Sequence, residues 1–140
     1  MLSLIEHCCC KTSVSSVLNR DVKQFGRQHM FDGDEETCWN SNQGSPQWLS
    51  VTFERPVHVE QIHVQFQGGF AAKTCTLIDG SDHSAPPLAK FYPEDTNSLQ
   101  IFAVPSLKKP VKTVKLIFVE SSDFYGRITV YKLDMLGVPQ

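Results

Sequence analysis

Apolar residues in this chain recur at every second position, in short runs that stop at turn residues. Leu49, Val51 and Phe53 alternate with Trp48, Ser50 and Thr52. That is the period of a strand with one buried face, whereas an amphipathic helix repeats near 3.6 residues. The run meets Arg55-Pro56, which is expected to end it. Val57 and Val59 start a second alternation, and Ile62, Val64 and Phe66 continue it in the opposite phase. The phase switch at Glu60-Gln61 predicts a bulge or a change of sheet. Val114, Leu116 and Phe118 form a third set. A last strand opens on Ile128 and Val130 and changes phase to Leu133 and Met135. Gly68-Gly69, Asp79-Gly80, Ala85-Pro86-Pro87, Tyr92-Pro93, Val104-Pro105 and Lys109-Pro110 punctuate the runs. Many short strands divided by turns predict an all-β, antiparallel sandwich or barrel. The one helical signal is Asp32-Gly33-Asp34-Glu35, where Asp32 is placed to cap a single turn and Glu35 to close the box.

The chain has 140 residues, which is the size of one domain at roughly 100–200 residues each. A chain this long buries roughly 68–70% of its unfolded surface, so it needs neither a metal nor a disulfide to fold. A formal charge of −2 and a pI near 6.2 argue against a general nucleic-acid binder, which displaces counterions with a basic surface. No apolar run reaches the ~18 residues that indicate a membrane helix. The opening Met1–Glu6 is too short and too acidic for a signal peptide. Five cysteines, three of them in Cys8-Cys9-Cys10, make an odd set without zinc-type spacing. Reduced thiols in the nucleus or cytosol are expected. The triplet reads either as an acylated or redox-active group or as part of a frayed end. Residues 1–12 are expected to be a flexible segment, 13–137 the domain and 138–140 a tail, in a chain that is a monomer.

Two stretches carry a resemblance. Phe31-Asp-Gly-Asp-Glu-Glu-Thr-Cys-Trp39 and Pro46-Gln-Trp-Leu-Ser-Val-Thr-Phe53 resemble the discoidin superfamily, also called galactose-binding-domain-like or coagulation factor V/VIII type C. Val57 through Val64 and the ending Lys132-Leu-Asp-Met-Leu-Gly137 extend the likeness over about residues 13–137. The resemblance implies a discoidin-like sandwich or jelly-roll barrel. Narrower strings, Ser15-Ser-Val-Leu-Asn19, Gln65-Phe-Gln-Gly-Gly-Phe70 and Phe91-Tyr-Pro-Glu-Asp95 among them, are similar to small proteins that bind and repress a testicular orphan nuclear receptor. They imply an orphan nuclear receptor as partner and the nucleus, with the cytoplasm as a further location.

The same resemblance gathers three loops, residues 19–27, 67–73 and 122–127, at one end of the sandwich. Phe25, Phe70, Phe124 and Tyr125 would then stand beside Arg20, Lys23, Arg27, Lys73 and Arg127. Exposed aromatics with arginine have the composition of a binding hot spot. The competing reading is that the rings plug the mouth of the barrel. Relatives of this fold hold a structural calcium near the position of Asp32, Asp34 and Thr37. Here Lys132 stands where the closing strand would supply a carboxylate, and its ammonium is expected to replace calcium and pair with Asp32 or Asp34. The plainer alternative is a hydrogen-bonded turn. An EF-hand is excluded, because Gln43 occupies the place of the bidentate Glu. Trp39 and Trp48 read as packing residues in preference to sugar platforms. Lys108, Lys109, Lys112 and Lys115 read as a solvated face in preference to a basic ridge.

Enzyme motifs are missing from the sequence. His7, His29, His58, His63 and His83 show no compact ligand spacing, and neither a Gly-x-Ser-x-Gly elbow nor a phosphate loop occurs. The expected activity is non-enzymatic binding of a protein partner, without cofactor, nucleic acid or membrane. A lectin-like module at the same loops and a structural subunit of a larger assembly are the alternatives.

Overall fold

The computed structural model describes residues 1–105 and 109–140, except for the side chain of Cys10. Lys108 therefore lies outside the described residues. Among the described residues nine strands form: β1 (Leu2–Ser3), β2 (Cys9–Val14), β3 (Trp39–Asn40), β4 (Gln47–Phe66), β5 (Ala72–Asp79), β6 (Ala89–Phe91), β7 (Leu99–Ala103), β8 (Val111–Ser121) and β9 (Thr129–Pro139). Two short helices, α1 (Leu4–Cys8) and α2 (Val22–Phe25), and two single 3₁₀ turns complete the described chain.

β4 organises the sandwich. Its first half pairs antiparallel with β2 and β8, and its second half pairs with β9 and β7. Arg55-Pro56 does not end the strand as expected. The chain bends there, because the β8 register breaks between Thr52 and Val57 and resumes beyond. The expected phase switch at Glu60-Gln61 is a bulge, where the β9 register shifts between Val59 and Gln61. Tyr131 is the extra residue of a second irregularity, which reverses the phase of β9 between Val130 and Leu133. Both bulges keep the apolar residues on one face while the strands curl. One continuous hydrogen-bonded sheet thus folds over into two layers.

Between the layers, Leu49, Val51, Phe53, Ile62, Val64 and Phe66 of β4 meet Val114, Leu116 and Phe118 of β8. Phe118 touches Trp39 at 5.8 Å and Phe66 edge-on at 6.0 Å. Trp39 is fully buried, and its indole N–H donates to the Ser16 carbonyl at 2.9 Å. Trp39 is therefore core. Trp48 is half-buried, and the Lys115 ammonium lies 4.3 Å above its ring.

The N-terminus differs from the expectation of a flexible segment. Leu4 and Cys8, four residues apart on one face of α1, are both buried in the main core. Ser3 caps the helix by accepting from the Glu6 N–H and donates its own hydroxyl to Asp134 at 2.7 Å. β1 pairs with the end of β9, and β2 covers an edge of β4. The last residues are also ordered, since Val138 and Pro139 pair with His58 and Val57. Nor does a helical turn form at Asp32–Glu35. The side chain of Asp32 accepts from the Asp34 N–H, and that of Asp34 accepts from the Glu36 N–H. These local bonds replace helical ones, a competition that short acidic side chains often win.

Candidate protein-binding surface

The loops after β4 and β8 are tied to each other by their backbones. Phe70 C=O accepts from the Thr129 N–H, Ala71 C=O accepts from the Ser122 N–H, and the Ser122 hydroxyl accepts from the Ala71 N–H. On the far side, Asp95 and Asn97 accept from the Gly69 and Gly68 N–H groups. This end of the sandwich is pinned on both flanks.

Within the 122–127 loop, the Arg127 Nε and Nη2 groups donate to the two carboxylate oxygens of Asp123 at 2.9 and 3.1 Å. The Arg127 backbone N–H adds a third bond to Asp123, and the Ser121 hydroxyl bridges the Asp123 N–H and the Arg127 carbonyl. The Arg127 side chain beside it holds the Asp123 carboxyl below its ordinary value, against a smaller opposing effect of burial. The guanidinium carbon sits 5.1 Å from the Phe70 ring and 5.5 Å from the Tyr125 ring. Phe124 packs edge-on against Tyr125 at 5.2 Å. Phe124 is 94% exposed and Tyr125 56% exposed. Four of the expected residues, Phe70, Phe124, Tyr125 and Arg127, therefore form one cluster whose outer rings face solvent.

A neighbouring turn supports the cluster. The Tyr125 carbonyl accepts from the Gly44 N–H at 2.7 Å, and a Cβ on Gly126 would stand 2.7 Å from the Gly44 carbonyl carbon. Gly126 also has φ +83°, so it meets two requirements that only glycine satisfies cheaply. Asn42, on the same turn, accepts from the Asn19 N–H. Asn19 and Arg20 both have left-handed backbones, at φ 55° and 57°, a conformation costing about 1–3 kcal/mol per residue outside glycine. Arg20 is exposed next to the Asn19–Asn42 bond.

The remaining expected residues divide. Lys73 is exposed at the start of β5, whose first residue pairs with Ser121. Phe25 is half-buried on α2 and makes no ring contact among the described residues. Arg27 is elsewhere: its Nε donates to the Thr12 hydroxyl of β2 at 3.0 Å.

Asp32, Asp34 and Thr37 do converge. The Thr37 hydroxyl donates to Asp32 Oδ2 at 2.6 Å, and His29 Nδ1 lies 3.2 Å from the same oxygen. Lys132 borders the same cleft as Asp34, yet among the described residues it forms no ion pair with either aspartate. Lys132 is thus not paired with Asp32 or Asp34 as expected, and the alternative, a hydrogen-bonded turn, is what forms. The cation-capable group at Asp32 is His29, whose Nε2 lies 2.9 Å from the Lys23 carbonyl. That carbonyl, and then Asp32, favour the imidazolium and raise the His29 pKa over an opposing effect of burial. The donor set does not suit calcium, which takes six to eight oxygens. Both Asp32 oxygens already serve protein donors, an imidazole occupies one flank, and an ammonium borders the other.

Sequence reasoning missed Asp123, Gly126, Asn42 and His29. The i,i+4 spacing of Asp123 and Arg127 and the i,i+3 spacing of His29 and Asp32 were the available signals. Burial pushes the Cys75 thiol far up and raises Cys38 as well, so neither has the thiolate character of a nucleophile.

The family model described as "NedA-like, galactose-binding domain", of the F5/8 type C class, matches residues 29–106. A nuclear receptor 2C2-associated protein of Xenopus laevis is 59% identical over 126 residues, spanning 89% of this chain and 90% of the relative. Its Homo sapiens counterpart is 47% identical over 126 residues, 89% and 88% of the two chains. Among solved structures, the C-terminal domain of a chitobiase from Bacteroides fragilis superposes with TM-score 0.78 at 17% identity, covering 99% of each chain. The last comparison shows the fold alone, an antiparallel discoidin-like sandwich. By fold and by sequence, the chain belongs to the nuclear receptor 2C2-associated protein family, built on an F5/8 type C domain.

Proposed function

We propose that this domain is a non-catalytic protein-interaction module that binds an orphan nuclear receptor through its loop end and acts as a co-regulator. The observation that carries this reading is the Phe124–Tyr125 pair: two exposed rings on a loop clamped by Asp123 and Arg127. Exposed aromatics on a rigid base lose little entropy on docking and bury much area, which is the usual make-up of a hot spot. The names of the relatives supply the class of partner. Repression follows if the docked domain covers receptor surface needed for dimerisation or for engaging DNA, with no DNA contact of its own. The nucleus is then the site of action.

Replacing Phe124 and Tyr125 together with alanine tests the reading against receptor 2C2 in a pull-down and by calorimetry. Binding is expected to fall by about 2 kcal/mol or more while the thermal melt stays close to wild type. Undiminished affinity in that variant rejects the loop-end site. A saturable rise in Tm with galactose, without receptor binding, would assign the rings to a glycan instead.

A further inference from the structure

The N-terminal segment also builds a groove away from the loop end. Ile5, Cys9 and Phe31, all half-buried, form its floor. Two open clefts of about 480 and 400 Å³ meet there, sharing Ile5 and Phe31. The first is walled by Lys11 and Arg27 and contains no carboxylate. The Arg27 Nε–Thr12 bond fixes the stem of the side chain, and the terminal guanidinium nitrogens have no acceptor among the described residues. Lys11 is exposed and forms no ion pair among the described residues. The second cleft is mixed in charge, lined by Lys132, Glu6 and Asp134, and Asp134 already accepts from the Ser3 hydroxyl. The groove is therefore cationic at one end, apolar in the middle and weakly acidic at the other.

We infer that this groove docks a protein segment in which acidic residues adjoin a short apolar stretch. Its carboxylates would face Lys11 and Arg27, and its apolar side chains would cover Ile5 and Phe31. The cationic end is where charge complementarity selects the partner, because two uncompensated cations border apolar surface there. A fatty acid also pairs a carboxylate with an apolar chain, but such ligands occupy sites that bury most of their surface. Here the floor is open and only half-buried. Thr12 and Glu6 along its walls offer hydrogen bonds that a peptide backbone uses and an acyl chain does not. The inference is independent of the loop-end reading and concerns a separate surface.

The test uses the full chain and a fluorescein-labelled peptide, Asp-Asp-Glu-Leu-Leu-Phe-Ser-Gly, followed by polarisation and by amide chemical shifts. Saturable binding is expected, with shifts at Lys11, Arg27 and Phe31. The K11E/R27E variant should weaken it at least about ten-fold, whereas K112E, an equal charge change on β8, should leave it unaltered. Lys11→Glu alone, at an exposed position, gives the same direction if the double variant folds poorly. Four results would overturn the inference: no saturation, equal binding of a peptide with lysines in place of the acidic residues, shifts confined to residues 70 and 122–127, or oleate saturating the groove where the peptide does not.

Discussion

Arg127 and Asp123 meet as a fork on a carboxylate, Nε to Oδ2 at 2.9 Å and Nη2 to Oδ1 at 3.1 Å, with the guanidinium carbon 5.1 Å from the Phe70 ring and 5.5 Å from the Tyr125 ring. The pair does two jobs. It closes the 122–127 loop, and it gives the arginine plane a fixed orientation beside both rings, as bidentate pairing does. Asp123 also offsets the charge of Arg127 within the cluster.

Removing the fork should loosen the loop and leave the fold. Asp123→Asn is expected to weaken receptor binding with only a small loss of stability, measured by calorimetry and urea titration. The native Asp123 pKa lies below the ordinary 3.8, chiefly because of the Arg127 side chain. Its contribution to stability is therefore complete above that ordinary value and is lost as pH falls through the lower native one. The gap between wild type and Asp123→Asn should be constant at neutral pH and close in acid. A gap that widens in acid contradicts the assignment.

Gly126 should tolerate no side chain. Gly126→Ala adds a Cβ 2.7 Å from backbone at φ +83° and is expected to cost about 1–3 kcal/mol in chemical denaturation. Gly33→Ala is the control. Gly33 has φ +71° with nothing within 4 Å of the added carbon, so it carries only the conformational cost of about 1–2 kcal/mol. A smaller loss at Gly126 than at Gly33 would show that the contact with Gly44 is soft.

Leu4 distinguishes a docked N-terminus from a frayed one. Its side chain is wholly buried, and Leu4→Ala should destabilise the domain by about 2–5 kcal/mol. The same substitution in a loose lead would have no effect on the urea midpoint.

His29 should make stability depend on pH near neutrality. Protonated, it donates from both ring nitrogens, to Asp32 and to the Lys23 carbonyl, whereas the neutral ring donates to one only. Its native pKa is raised above 6.5, with the Lys23 carbonyl as the largest cause. The stabilisation is fully present below 6.5 and fades as pH rises through the native value. An NMR titration should place the His29 midpoint above 6.5, and His29→Gln should flatten the stability profile across that window. A midpoint at or below 6.5 removes the clamp.

Strand period alone determined the class of this protein. Leu49-Val51-Phe53, Ile62-Val64-Phe66 and Val114-Leu116-Phe118 mark their strands because each buries one face, and burial writes a two-residue repeat into the chain. The Glu60-Gln61 irregularity was legible for the same reason, as a phase error in the repeat, and the pairing with β9 decided that it is a bulge. β7 was not legible: as an edge strand it leaves Leu99 and Ile101 exposed, and no alternation distinguishes it from a loop. Only the tertiary structure decided the rest. The docking of Leu4 and Cys8 into the core and the bond from Arg27 to Thr12 depend on contacts between segments that spacing does not bring together. Side-chain period records which way a residue faces, and it is silent on what that residue will face.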